Sequence, residues 1–241
     1  HGRVLTVAGS REAHVAARRR LIMLRHGQTS YNATGRIQGQ LDTQLSDVGR
    51  EQARTAAQYL AEAEPRITKI VSSDLTRAAD TARALAEATG AELSFDKRLR
   101  ETNLGEWQER TYDEIDSAFP GMRDHWRHNL NWAPKGGETR FEVSNRMLAV
   151  IAELAANPDW ESDTFVLVSH GGAIAAATAA LLQLPRDYFS TFNGLGNTAW
   201  VEMEQRTRVN GETSWYLNAF NAKVRARESQ VSDSSGGRHA R

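Results

Sequence analysis

Two short apolar runs in this sequence each end in a histidine. Leu21-Ile22-Met23-Leu24 leads into Arg25-His26-Gly27, and Phe165-Val166-Leu167-Val168 leads into Ser169-His170-Gly171. A third run, Ile67–Val71, leads into Ser72-Ser73-Asp74-Leu75-Thr76-Arg77, and Glu101 follows a further short candidate at Leu93–Phe95. Ligands of open α/β sheets bind at the carboxyl ends of strands, where this sequence collects two histidines, two arginines and one carboxylate. Guanidinium forks match phosphate oxygens bidentately, and an imidazolium beside them adds a further positive donor. Phosphoryl transfer needs charge stabilised on three equatorial oxygens and a nucleophile in line with the leaving oxygen. A neutral imidazole nitrogen can be that nucleophile, by way of a phosphohistidine. A carboxylic acid can protonate the leaving oxygen and then take a proton from water. This chemistry calls for no metal ion and no cofactor.

The rest of the pattern supplies elements to position these groups. A helix is expected over Ser46–Ala63, with Val48, Ala53, Ala56, Ala57 and Leu60 on one face and Pro65 beyond its end. Ser72-Ser73 offers N-cap chemistry for a helix over Asp74–Thr89, and Gly90 stands where a C-cap glycine belongs. Short helices broken at Pro120-Gly121 are expected over Tyr112–Trp132. Thr139 with Glu142 forms a capping-box pattern for a helix to Ala156. An alanine-rich helix to Leu184 follows the second histidine, and Thr198–Met203 and Ser214–Phe220 read as closing strands. Strands alternating with helices predict one α/β domain on a mainly parallel sheet.

Composition narrows the function classes. The chain has 241 residues, enough for one substantial core, with 40% hydrophobic and 25% charged residues. Thirty Lys and Arg balance thirty Asp and Glu, so no overall field favours nucleic acid or an anionic membrane. The absence of cysteine excludes disulfides, thiolate catalysis and Cys-ligated metals. No apolar run reaches the roughly 18 residues of a membrane span, so a cytoplasmic location is expected. Residues 1–19 are read as an N-terminal extension, 20–227 as the catalytic domain and 228–241 as a flexible polar tail. Arg18-Arg19-Arg20 is read as a solvated flank.

In order along the chain, four segments resemble the motifs of the histidine phosphatase (phosphoglycerate mutase-like) superfamily. They are Leu24-Arg25-His26-Gly27-Gln28-Thr29 with Asn32, Ser72-Ser73-Asp74-Leu75-Thr76-Arg77-Ala78, Leu99-Arg100-Glu101 with Gly105-Glu106-Trp107, and Val168-Ser169-His170-Gly171-Gly172. The resemblance runs from about Arg20 to Asn221 and implies a three-layer α/β/α fold. It makes His26 the nucleophile, and assigns phosphoryl binding to Arg25, Arg77 and His170. Glu101 becomes the general acid and base, while Asn32, Gln38, Gly39 and Gly171 contact phosphate or substrate. A homodimer is also implied. Gln28-Thr29 and Tyr31-Asn32 are phosphatase-like, where mutases carry Glu-Ser and Trp-Asn. The segments Gln38–Thr43, Trp132-Ala133-Pro134 with Gly136-Gly137-Glu138, and Gly194–Trp200 resemble glucosyl-3-phosphoglycerate phosphatases, which implies that substrate. The alternatives are a cofactor-dependent mutase, another small-molecule phosphatase such as one for α-ribazole phosphate or sugar phosphates, and, last, a non-catalytic phospholigand-binding module.

Several other residues have two readings. Trp107, Trp126 and Trp132 suit either a sugar-stacking cleft or the packing of a lid. His125 and His128 have a spacing open to a metal, but with no third ligand nearby they read as a solvated helix face. Gly136-Gly137 could be an anion nest or a hinge.

Overall fold

The computed structural model describes residues 18–64, 66–208 and 210–224. Pro65, residues 1–17 of the proposed N-terminal extension and the whole of the proposed tail 228–241 lie outside the described residues. The first strand, β1 (Arg18–Arg25), begins three residues before the apolar run. Those residues pair with a later strand: Arg20 stands opposite Glu204, and Arg18 forms an ion pair with Glu204 at 3.4 Å. A short helix, α1 (Ser30–Ala33), follows, then α2 (Asp47–Ala63), capped by Ser46 Oγ accepting from Gly49 N–H. Next come β2 (Ile67–Ser72), α3 (Thr76–Thr89) and β3 (Glu92–Phe95). Gly90 ends α3 with φ 72°, the left-handed cap expected of it.

The cap at the front of α3 differs from the expectation. The helix starts at Thr76 rather than Asp74, because Asp42 reaches in from another loop to accept from the N–H and hydroxyl of Thr76. Ser72 remains in the strand, and Ser73 is left for another partner. Two short helices, α4 (Tyr112–Ala118) and α5 (Met122–His128), flank Pro120-Gly121 as predicted. The capping box opens α6 (Arg140–Ala155), then β4 (Thr164–Ser169) leads into α7 (Gly171–Leu181). That helix ends three residues short of Leu184, where Gln183 turns to φ 54° ahead of Pro185. β5 (Trp200–Thr207) and β6 (Thr213–Ala222) close the sheet.

The strand order is β3-β2-β4-β1-β5-β6. The first four strands pair in parallel, whereas β5 pairs antiparallel with both β1 and β6. Alternating residues of the two central strands face opposite layers. Leu21, Met23, Phe165 and Leu167 pack with residues of α6 and α7; Ile22, Leu24, Val166 and Val168 pack with α2 and α3. This is the three-layer α/β/α architecture with a mainly parallel sheet. A small separate core of Leu104, Trp107 and Ile115, with Trp126 and Trp132 against it, belongs to the segment between β3 and α6.

Candidate active site

The register of β1 against β4 decides where the two histidines stand. Arg25 pairs with Ser169, so His26 and His170 leave adjacent strands side by side, with ring centroids 5.1 Å apart. Both are buried. The close packing of the β1 exit on α2 depends on a glycine: a Cβ on Gly27 would lie 2.3 Å from the carbonyl oxygen of Gly49.

His26 Nδ1 lies 2.7 Å from the carbonyl oxygen of its neighbour Gly27. A carbonyl oxygen only accepts, so the ring proton is on Nδ1 and the lone pair is on Nε2. Burial, then the charges of Arg25 and Arg77, hold the His26 imidazole well below its ordinary range, which keeps it neutral. His170 was expected as a cation. Burial first, then Arg77, His26 and Arg25, hold it also well below the imidazole range, so it is neutral in the ligand-free protein. Its Nε2 lies 2.9 Å from Ser73 Oγ, the serine that does not cap α3, and its Nδ1 is buried without a partner.

Arg77 Nη1 and Nη2 donate to the carbonyl oxygens of Leu41 and Gly39 at 2.7 and 2.8 Å, and Arg25 Nη1 donates to that of Leu195. Burial pushes the Arg77 guanidinium down to about 10. The Nε atoms of Arg25 and Arg77 are buried and lack a hydrogen-bond partner. Buried polar groups are almost always paired in native proteins. The free Nε atoms of Arg25 and Arg77, two residues that line one cavity, are therefore left for acceptor oxygens, and the unpartnered Nδ1 of His170 belongs to a ring packed beside His26.

Glu101 lies against the first turn of α7. Its Oε1 accepts from Thr102 and Ala173 N–H at 2.8 and 2.9 Å, and Oε2 accepts from Gly172 N–H at 3.0 Å. Behind it, Arg146 donates to the carbonyl oxygens of Arg98, Arg100 and Glu101 and pairs with Glu138 at 3.0 Å. Glu138 also accepts from Asn103 N–H. This clamp, absent from the sequence reading, fixes the loop that carries Glu101.

A cavity of about 420 Å³ opens here. Arg25, His26, Asn32, Gln38, Gly39, Arg77, Glu101 and Gly171 line it; His170 is fully buried and contributes no surface. The Asn32 amide oxygen accepts from Thr29 N–H, and the Gln38 amide oxygen is engaged by the hydroxyls of Thr29 and Thr43. In both cases the amide nitrogen is the end left for the cavity. Of the three tryptophans, Trp107 and Trp126 reach the cavity wall while Trp132 packs against His125 and Trp107. Gly137 and Gly136 pack against the backbone around Gly105. Arg127 and Arg140 also line the cavity and were not singled out from sequence. Arg140 did leave a signal: a cation on the first residue of a helix runs against the dipole preference.

Residues 21–218 match the family model described as the histidine phosphatase superfamily, branch 1. The chain belongs to that superfamily. It is 51% identical over 217 residues to a glucosyl-3-phosphoglycerate phosphatase of Mycolicibacterium vanbaalenii, covering 86% of this chain and 96% of that protein. It is 47% identical over 215 residues to the Mycobacterium tuberculosis protein of the same name, with the same coverage. A solved mycobacterial glucosyl-3-phosphoglycerate phosphatase in complex with VO3 superposes with a TM-score of 0.80 at 47% identity, covering 85% of this chain and all of that one. The histidine phosphatase fold and membership are those the motifs implied.

Proposed function

We propose that this protein is a phosphoric monoester hydrolase that converts glucosyl-3-phosphoglycerate to glucosylglycerate and inorganic phosphate through a phosphohistidine at His26. One observation carries the reading of the site: a buried, neutral His26 with its lone pair on Nε2 stands beside uncommitted nitrogens of Arg25, Arg77 and His170. The substrate itself is carried by the identity to the mycobacterial phosphatases.

Nε2 of His26 attacks phosphorus in line, and the bond from phosphorus to the substrate oxygen breaks. Arg25, Arg77 and the Nδ1 side of His170 bind the three equatorial oxygens, where charge must be stabilised. Glu101 gives a proton to the departing oxygen. Water then attacks the phosphohistidine, its proton passing to Glu101, and the N–P bond breaks to release phosphate. Asn32, Gln38, Gly39 and Gly171 hold phosphate or substrate at the cavity wall. The positive charge this requires comes from arginine and calls for no metal or cofactor. No helix among the described residues is long and apolar enough to cross a membrane. A cytoplasmic homodimer, with no nucleic-acid partner, completes the proposal.

Turnover of glucosyl-3-phosphoglycerate, 3-phosphoglycerate, phosphoserine and α-ribazole phosphate tests the substrate. The highest kcat/KM is expected for the first. A tenfold preference for any other would overturn the choice of substrate.

A further inference from the structure

Six arginines but only one carboxylate, that of Glu101, line the cavity, although the whole chain carries no net charge. Arg25 and Arg77 belong to the phosphoryl pocket. Two of the others are neutralised: Arg123 is gripped by both oxygens of Asp116, and Arg36 faces Glu114 at 3.6 Å. Arg127 and Arg140 have no carboxylate partner among the described residues.

Arg140 is the stranger of the pair. It is only 9% exposed, yet it reaches the cavity wall. Its Nη1 donates to the carbonyl oxygen of Arg127 at 2.9 Å, and its guanidinium lies over the Trp126 ring, 5.7 Å from the centroid. As the first residue of α6 it sits at the positive end of a helix. Burial and the nearby charge of Arg127 both depress its proton affinity. A buried cation beside a second cation, at the wrong end of a helix, is costly until an anion arrives. Beside it, Trp126 Nε1 is buried with no hydrogen-bond partner. Arg140 lines the same cavity as Arg25, Arg77 and Glu101.

We propose that Arg140 and Arg127, with the Trp126 N–H, form a second anion subsite that takes the carboxylate of a phosphorylated hydroxy-acid substrate. Guanidinium groups match a planar carboxylate through paired N–H donors. The choice of a carboxylate rests on the substrate class proposed above; the existence of a second anion subsite rests on the two unpaired arginines alone. With both subsites filled, the substrate is held at two points and its ester oxygen is fixed over His26. These residues would then set specificity without touching the reacting atoms.

The test uses 3-phosphoglycerate and glycerol 3-phosphate, which differ by a carboxylate in place of a hydroxymethyl group, as competitive inhibitors of p-nitrophenyl phosphate turnover. Charge-assisted hydrogen bonds of the usual strength predict that the wild type favours 3-phosphoglycerate by roughly tenfold or more. Arg140→Gln and Arg127→Gln should each shrink that ratio by about fivefold or more, and Arg140→Lys should keep part of it. A wild-type ratio near one, or a ratio unchanged in both glutamine variants, overturns the subsite. If Arg140→Gln fails to fold, the exposed Arg127→Gln decides alone. Neither inhibitor carries glucose, so loss of the glucosyl substrate assignment leaves the ratio standing. An absent ratio in a protein that still prefers glucosyl-3-phosphoglycerate faults the subsite only.

Discussion

The carboxylate of Glu101 rests directly on the backbone of Gly172. The Gly172 N–H donates to Oε2 at 3.0 Å, and a Cβ on this residue would stand 2.8 Å from Oε1. Gly172→Ala therefore has to push the carboxylate away. A misplacement of about 1 Å can cost on the order of 100-fold in rate. Between tenfold and 100-fold loss of kcat is expected, with stability held or raised because alanine suits a helix better than glycine. Steady-state kinetics and urea unfolding on the same preparation check both halves. Wild-type kcat in a folded Gly172→Ala protein would mean that the position of Glu101 does not matter.

Arg146 fastens the backbone that carries this carboxylate, donating to the carbonyl oxygen of Glu101 at 2.9 Å. Its side chain and that of Glu138 are 16% and 24% exposed, and three carbonyl oxygens depend on it. Removing one partner of a largely buried pair strands the other, at a cost of about 3 kcal/mol. Arg146→Ala should lose stability on that scale in chemical unfolding and lower kcat more than it raises KM. A loss below about 1 kcal/mol with unchanged kcat would show that the clamp is incidental.

The apolar runs made β1, β2 and β4 legible from sequence, and with them the neighbourhood of His26, His170 and Arg77. Period and turn chemistry are local, and these elements obey local rules. What could not be read joins distant segments. Asp42 caps α3 from 34 residues away, which moves the helix start and frees Ser73 for His170. Arg146 reaches back 45 residues to the carbonyl of Glu101. The first three residues of β1 are not legible in the sequence because Arg18, Arg19 and Arg20 are held there by pairing with β5 rather than by burial of apolar side chains. His170 was expected to be charged because phosphate favours a cation beside it, and the sequence shows neither its complete burial nor the arginines packed around it.

Acid should destabilise the ligand-free protein in a defined window. Both buried histidines are held well below the ordinary imidazole range, chiefly by burial. Below about pH 6.5 the unfolded chain takes up protons that the folded chain refuses, so stability falls with falling pH. Each histidine contributes up to about 1.4 kcal/mol per pH unit. Urea unfolding from pH 7.5 to 5.5 in phosphate-free buffer should show the decline, and His26→Asn should make it shallower. Stability that is flat or rising toward pH 5.5 would contradict the burial of neutral imidazoles.

Replacing Glu101 by Gln keeps the size of the side chain but removes the proton it transfers. The loss should depend on the leaving group: about 100-fold or more for an alkyl phosphate, and distinctly less for p-nitrophenyl phosphate, whose phenolate departs unaided. Equal losses on both substrates would remove Glu101 from the role of leaving-group acid.

The phosphohistidine itself can be caught. Rapid quenching of the enzyme with labelled substrate, followed by peptide mapping under alkaline conditions, should place base-stable, acid-labile phosphate on His26. Because Nδ1 is committed to the Gly27 carbonyl, the phosphoryl group should be on Nε2, and His26→Ala should show neither label nor turnover. Label on another residue, or turnover retained by His26→Ala, would contradict covalent catalysis at His26.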